Sequence, residues 1–180
     1  MTEIGTVYGQ ALYDLAQSEG LAKPIFDELG MLSHSFSVEE PAFVKLLSTP
    51  SLTKQERCKI LDDSFRGKLQ PYLLNFLKIL TEKGYMRHIS DCYVAYRDKY
   101  YQDNNILLVQ AVTAVPLTHD QLKRLTNKLH DITGKQIELR SRVDPGVLGG
   151  IRLDYDGKRL DDTVEHRLSA IGSVLKNTVL

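Results

Sequence analysis

The sequence predicts a mainly α-helical protein: a six-helix bundle over residues 1–104, then a small α+β domain over residues 105–180 with a short sheet and a C-terminal helix. Three observations carry this. Apolar residues recur at helical spacing, with start and stop signals, throughout the first part. The pattern switches at Ile106-Leu-Leu-Val-Gln-Ala-Val-Thr-Ala-Val115 to a β-type run. Further on, Asp156-Gly157 reads as a tight hairpin turn beside an alternating segment.

The helices follow in order. Ile4, Val7, Tyr8, Ala11, Leu12 and Leu15 mark one face of the first, which Gly20 stops. The second spans about Pro24 to Phe36 and carries Ile25, Phe26, Leu29 and Leu32. Ser37 with Glu40 has the form of a capping box, and Pro41 suits the first turn of a short third helix ending near Ser48. Pro50 interrupts the chain. Thr53 and Glu56 repeat the capping pattern for a fourth helix, through Ile60, Leu61 and Phe65 to Gly67. A fifth runs from about Leu69 to Lys83, before Gly84, and a sixth carries Ile89, Cys92, Tyr93, Tyr96 and Tyr100. Short connectors between six such helices imply a bundle.

A polar stretch, Gln102 to Asn105, marks the boundary. After the first β-run, closed by Pro116, Thr118 and Gln121 cap a helix bearing Leu122, Leu125, Leu129 and Ile132, ended by Gly134. Gln136 to Val143 and Val147 to Tyr155 read as two further strands. A last helix from about Thr163 places Val164, Leu168, Ile171 and Leu175 on one stripe.

Composition narrows the function. With 23 Lys plus Arg against 23 Asp plus Glu, no net field steers nucleic acid or an anionic membrane. No apolar run approaches the roughly 20 residues of a spanning helix. Met1-Thr-Glu-Ile-Gly5 lacks the features of a signal peptide, and Cys58 and Cys92, far apart, read as free thiols in a reducing compartment. The expectation is a soluble, cytoplasmic chain.

No reactive motif emerges. His34, His88, His119, His130 and His166 have no second ligand at metal spacing. Asp154, Asp156, Asp161, Asp162 and Glu165 lack the order of a calcium loop, and turn and N-cap duties account for Asp156 and Asp162. Gly149-Gly150 is followed by no Gly-Lys-Ser/Thr, and paired glycines in a strand mark a bulge or a close backbone approach. No Gly-x-Ser-x-Gly occurs, and neither cysteine has a catalytic signature. The expectations are no enzyme activity, no cofactor, no metal, no small-molecule substrate and no nucleic acid.

Surplus apolar surface is the positive signal. In the fifth helix Tyr72, Phe76 and Ile79 form one stripe, and Leu73, Leu77 and Leu80 a second beside Leu74. A helix apolar nearly all round is either centrally buried or shares a groove with a partner. In the first helix Gly5 and Gly9, four apart, admit close approach of another helix.

The stretch Val143-Asp-Pro, Leu148-Gly-Gly150, Asp161-Asp-Thr163 and Arg167-Leu168 resembles the most diagnostic motif of the delta subunit of bacterial F-type ATP synthases, the counterpart of the mitochondrial oligomycin-sensitivity-conferring protein. Tyr8-Gly-Gln-Ala-Leu-Tyr-Asp-Leu-Ala16, Ser48-Thr-Pro50, Glu82-Lys-Gly84 and Ala114-Val-Pro-Leu117 add to the likeness, which covers essentially the whole chain. Asp162 and Thr163 stand where the family has Gly and Ser, Val7 where it has Arg, and Tyr85 where it has Arg.

The resemblance implies a non-catalytic connector in ion-driven rotary ATP synthesis, one copy per complex. It implies that residues 1–104 bind the N-terminal helix of an alpha subunit in a groove between the first and fifth helices. Tyr8, Ala11 and Ile79 are then the groove residues, with Tyr72 and Phe76 added from periodicity. Residues 105–180 grip the peripheral-stalk b subunits, with Leu168, Ile171 and Leu175 as the contacts. The chain then sits on the cytoplasmic face of the cell membrane, held there only through the complex. A helical adaptor binding a partner helix in an unrelated complex is the alternative.

Overall fold

The computed structural model describes residues 2–49, 52–147 and 149–161. The described residues are mainly helical with one small sheet. By its internal contacts the chain divides into two compact units, Met1–Tyr100 and Tyr101–Leu180.

The first unit contains α1 (Glu3–Ser18), α2 (Ala22–His34), α3 (Pro41–Ser48), α4 (Lys54–Phe65), α5 (Pro71–Lys83) and most of α6 (Ile89–Asp103). A π-helical turn, Ser35–Glu39, follows α2, and a 3₁₀ turn, Met86–His88, precedes α6. Local chemistry explains most boundaries. Thr2 caps α1 through a bond from the Gly5 amide, and the Thr53–Glu56 pair closes a reciprocal capping box on α4. Gly84, at φ +76°, ends α5 in the left-handed conformation that suits glycine.

The expected Ser37 cap is not made. Ser37 lies inside the π-helical turn and donates its hydroxyl back to the Ser33 carbonyl at 2.7 Å, while Glu40 precedes α3 with no side-chain cap. Serine in a chain that is still helical takes the carbonyl four residues back, so the sequence pattern does not start a helix here.

Core packing settles what the two helical glycines do. A Cβ on Gly5 would strike Asp91 Cβ, and one on Gly9 would strike the Cys92 carbonyl oxygen and lie 2.8 Å from Ala95 Cβ. The helix they admit is therefore α6 of the same chain. Above that crossing Tyr13 meets Tyr96 edge to face, with ring centroids 5.3 Å apart, and the Tyr96 hydroxyl donates to the Ala22 carbonyl at 2.8 Å. Leu73, Leu74, Phe76, Leu77, Leu80 and Thr81 of α5 are all buried, so this helix is central to the core.

The second unit is built on β1 (Ile106–Thr113), α7 (His119–Thr133), β2 (Gln136–Val143), β3 (Ile151–Tyr155) and β4 (Lys158–Asp161), with sheet order β2-β1-β3-β4. β1 and β2 are parallel, joined through α7, whereas β1–β3 and β3–β4 are antiparallel. Leu107, Val109, Ala111 and Leu153 form the core, against which Leu117, Leu125 and Leu129 pack. Thr118 and Gln121 form the expected capping box on α7.

Two strand expectations change. The third strand begins at Ile151 rather than Val147, because Gly149 and Gly150 take φ +138° and +84°, outside strand geometry. Ahead of them Asp144 accepts from the Gly146 amide, a side-chain-closed turn. A fourth strand, β4, is the return arm of the hairpin, whose Asp156 and Gly157 both have positive φ as a type I′ turn requires. The expected last helix, with Val164, Leu168, Ile171 and Leu175, lies outside the described residues.

Candidate partner-binding site

Helices α1 and α5 run antiparallel side by side, and contacts at both ends fix their register. At one end the Tyr72 phenol, in the first turn of α5, faces the carboxylate of Glu19, just past the end of α1. As hydrogen-bond acceptor and as negative charge, Glu19 raises the Tyr72 phenol above its ordinary range. At the other end Tyr8 meets Tyr85 edge to face, with centroids 5.7 Å apart and planes at 72°.

Between these ends the two helices leave apolar side chains uncovered. The core face of α1 is Gly5, Gly9, Leu12, Tyr13 and Ala16. Ile4, Tyr8, Ala11 and Leu15 fall instead on the flank toward α5: Tyr8 is half-buried, Ala11 exposed and Leu15 42% exposed. On α5, Tyr72 is half-buried and Ile79 is 46% exposed, whereas Phe76 retains only 7% of its surface and belongs mostly to the core. Tyr8, Ala11, Tyr72 and Ile79 thus border one apolar strip, with Phe76 beneath its edge. Leu168, Ile171 and Leu175 lie outside the described residues.

Sequence periodicity places Leu15 on one face of α1 with Tyr8, Ala11 and Leu12 and does not separate the uncovered flank from the core, and it leaves Glu19 out. Gly5 and Gly9 make the closest approach to α6, Leu12, Tyr13 and Ala16 fill the core beside them, and Tyr8, Ala11 and Leu15 fall on the flank. Glu19 carries no sequence signal, since its role depends on the antiparallel register.

The base of α1 is held by Thr2. Its hydroxyl donates to Asp91 at 2.7 Å and its amide to the same oxygen at 3.1 Å, which holds the Asp91 carboxyl below the usual carboxylate range. On the far side of α5, Asp62 pairs with Lys78 at 2.7 Å, and Glu82 accepts from the Cys58 thiol at 3.7 Å. Partial burial and then Glu82 push Cys58 upward, and burial pushes Cys92 up to about 12, so both thiols stay protonated at neutral pH. Among the described residues no three His, Cys, Asp or Glu side chains are grouped to hold a metal ion, and no helix is long and apolar enough to cross a membrane.

Fold and strip together describe a two-unit, mainly helical protein of the binding kind. The family model for the ATP synthase delta (OSCP) subunit matches residues 4–175. The chain is 31% identical over 173 residues to the ATP synthase subunit delta of Alkaliphilus oremlandii, covering 96% of each. It is 26% identical over 176 residues to that of Clostridioides difficile, covering 98% of this chain and 97% of the relative. Its fold matches a chain of the Toxoplasma gondii mitochondrial ATP synthase hexamer at a TM-score of 0.73 and 20% identity, over 97% of this chain and 98% of that one. The chain belongs to the ATP synthase delta (OSCP) subunit family. It is a non-catalytic stator component of an F-type ATP synthase, a membrane-associated complex.

Proposed function

We propose that the first unit, a six-helix bundle extending to about residue 104, seats the N-terminal helix of an alpha subunit in the α1/α5 groove. The second part, from about residue 105, holds the b subunits of the peripheral stalk, with Leu168, Ile171 and Leu175 as contacts. One copy then joins the catalytic head to the stalk on the cytoplasmic face of the cell membrane and resists the torque of the rotor.

The observation that carries this reading is the uncovered strip of Tyr8, Ala11, Leu15 and Ile79 on two helices that each commit one face to the core. An amphipathic helix with anchors three and four residues apart is the partner such a strip accommodates. A stator joint needs affinity and stiffness and no reacting group.

Co-purification tests the division of labour. The tagged full chain should bring down both alpha and b subunits, and a chain ending at residue 160 should retain alpha and lose b. Retention of b by the shortened chain contradicts the assignment of the stalk contacts. Loss of alpha from it, with the first unit still folded by circular dichroism, contradicts the assignment of the groove.

A further inference from the structure

We propose that the outer edge of β2 takes up an extended segment of a partner protein as a fifth strand, one in which apolar residues alternate with acidic ones. This surface belongs to the second unit and does not depend on the α1/α5 groove.

β2 closes one side of the sheet, whose order is β2-β1-β3-β4. It keeps unbroken parallel register with β1 from Gln136 to Val143 and contains no proline. Its even-numbered residues turn their backbone toward β1. The Gln136 amide donates to the Asn105 carbonyl at 3.1 Å, and the Asp144 amide to the Thr113 carbonyl at 2.9 Å. Successive residues of a strand present N–H and C=O to opposite sides, so Ile137, Leu139, Ser141 and Val143 point theirs out of the sheet. Edges are ordinarily blunted against chance pairing by shortness, proline, a bulge or charge. Here charge is the one device present, and charge also selects a partner.

Side chains of an added strand alternate between two surroundings. On the α7 side, a hollow of about 450 Å³ lies beside Leu139, lined by His119, Leu122, Lys123, Thr126 and Asn127. Leu122 and Leu139 are both half-buried, and no residue of α7 is fully buried. On the opposite side Arg140 and Arg142 are exposed. Glu138 stands 4.0 Å from Arg140, while Arg142 has no carboxylate in ion-pair reach among the described residues. Further in on that face, Arg152 and Arg159 share Asp154. Asp144 is turned onto the Gly146 amide, and Asp120 and Asp131 lie further round α7 from the hollow than Lys123. Lys123, Lys135, Arg140 and Arg142 therefore leave the edge cationic against Glu138. Main-chain groups supply affinity in this mode of recognition, and alternate side chains supply the choice of partner.

Amide spectra of the ¹⁵N-labelled full chain test this with a blocked eight-residue peptide alternating glutamate with leucine and valine. The peptide should shift the amides of Ile137, Leu139, Ser141 and Val143 and slow their exchange with solvent. Copies N-methylated at alternate amides, made in both phases, separate edge pairing from mere charge attraction. The phase whose methyls face β2 should bind roughly ten-fold or more weakly, and the other should bind like the parent. A lysine-for-glutamate peptide should not bind, and Arg142→Glu should weaken the glutamate peptide about three- to ten-fold at low salt. Unshifted edge amides at millimolar peptide, equal binding by both methylated forms, or equal binding by the lysine peptide each overturns the proposal. Edge shifts that grow with protein concentration in the absence of peptide identify a second copy as the occupant and overturn it as well.

Discussion

The phenol of Tyr72 faces the carboxylate of Glu19, which places the first turn of α5 beside the end of α1. With the Tyr8–Tyr85 contact at the opposite end, it sets the two helices as parallel walls with a fixed spacing. Residues 53 positions apart in sequence thereby border one surface.

This pairing has a pH signature. A phenol raised by a neighbouring carboxylate favours the folded state below the ordinary tyrosine value of about 10, and that contribution disappears as pH rises through the folded-state value. Titration of Tyr72 by NMR should give a midpoint above that of the exposed tyrosines, and Glu19→Gln should bring it down. An unshifted midpoint in the wild-type chain contradicts the pairing.

Gly9→Ala should destabilise the first unit. Alanine improves helix propensity by at most about 1 kcal/mol, but its Cβ would meet the Cys92 carbonyl, a backbone atom that cannot rotate away. Overpacking of this kind costs about 1–3 kcal/mol, so the steric effect wins. Chemical denaturation measures it, and a stability equal to or above wild type would show that α1 and α6 are not so closely opposed.

Thr53→Ala should cost about 1 kcal/mol through loss of the α4 cap. Bonds from the Thr53 backbone and hydroxyl hold the Glu56 carboxyl below its ordinary value, so that contribution is present above about pH 4.3 and is lost as pH falls through the lower folded-state value. The gap between wild type and Thr53→Ala, followed by denaturation against pH, should narrow in acid. A gap that is constant down to about pH 2 refutes the reciprocal box.

Cys92 is fully buried, with its thiol pushed up to about 12 by desolvation. A raised acid favours the folded state below its unfolded value of about 8.5, and the contribution fades as pH climbs toward 12. A thiol reagent at neutral pH should modify Cys58, which is partly exposed, and reach Cys92 only on unfolding. Equal modification rates in the native protein would contradict the packing of α6.

Much of this architecture was legible where local chemistry acts alone. The capping boxes at Thr53–Glu56 and Thr118–Gln121, the glycine stops at Gly84 and Gly134, and the Asp156-Gly157 turn each depend on a few neighbouring residues. The same capping pattern at Ser37–Glu40 failed, because α2 continues into a π-helical turn that absorbs the hydroxyl. Strand β4 was hard to read, since Leu160 is its one apolar residue and is itself exposed at the sheet edge. In α1 periodicity found the apolar residues but not their direction: which stripe is core depends on Gly5 and Gly9 packing against α6. Tyr8, Ala11, Tyr72 and Ile79 could be picked from family likeness and spacing, whereas Leu15 and Glu19 needed the register of two helices.

The central claim is that the α1/α5 strip holds the alpha subunit's N-terminal helix, and isothermal calorimetry with that peptide tests it most directly. Tyr8→Glu and Ile79→Glu, each shown to be folded, should weaken binding by about 2 kcal/mol or more, roughly thirty-fold in Kd. Wild-type affinity in both folded variants would contradict it.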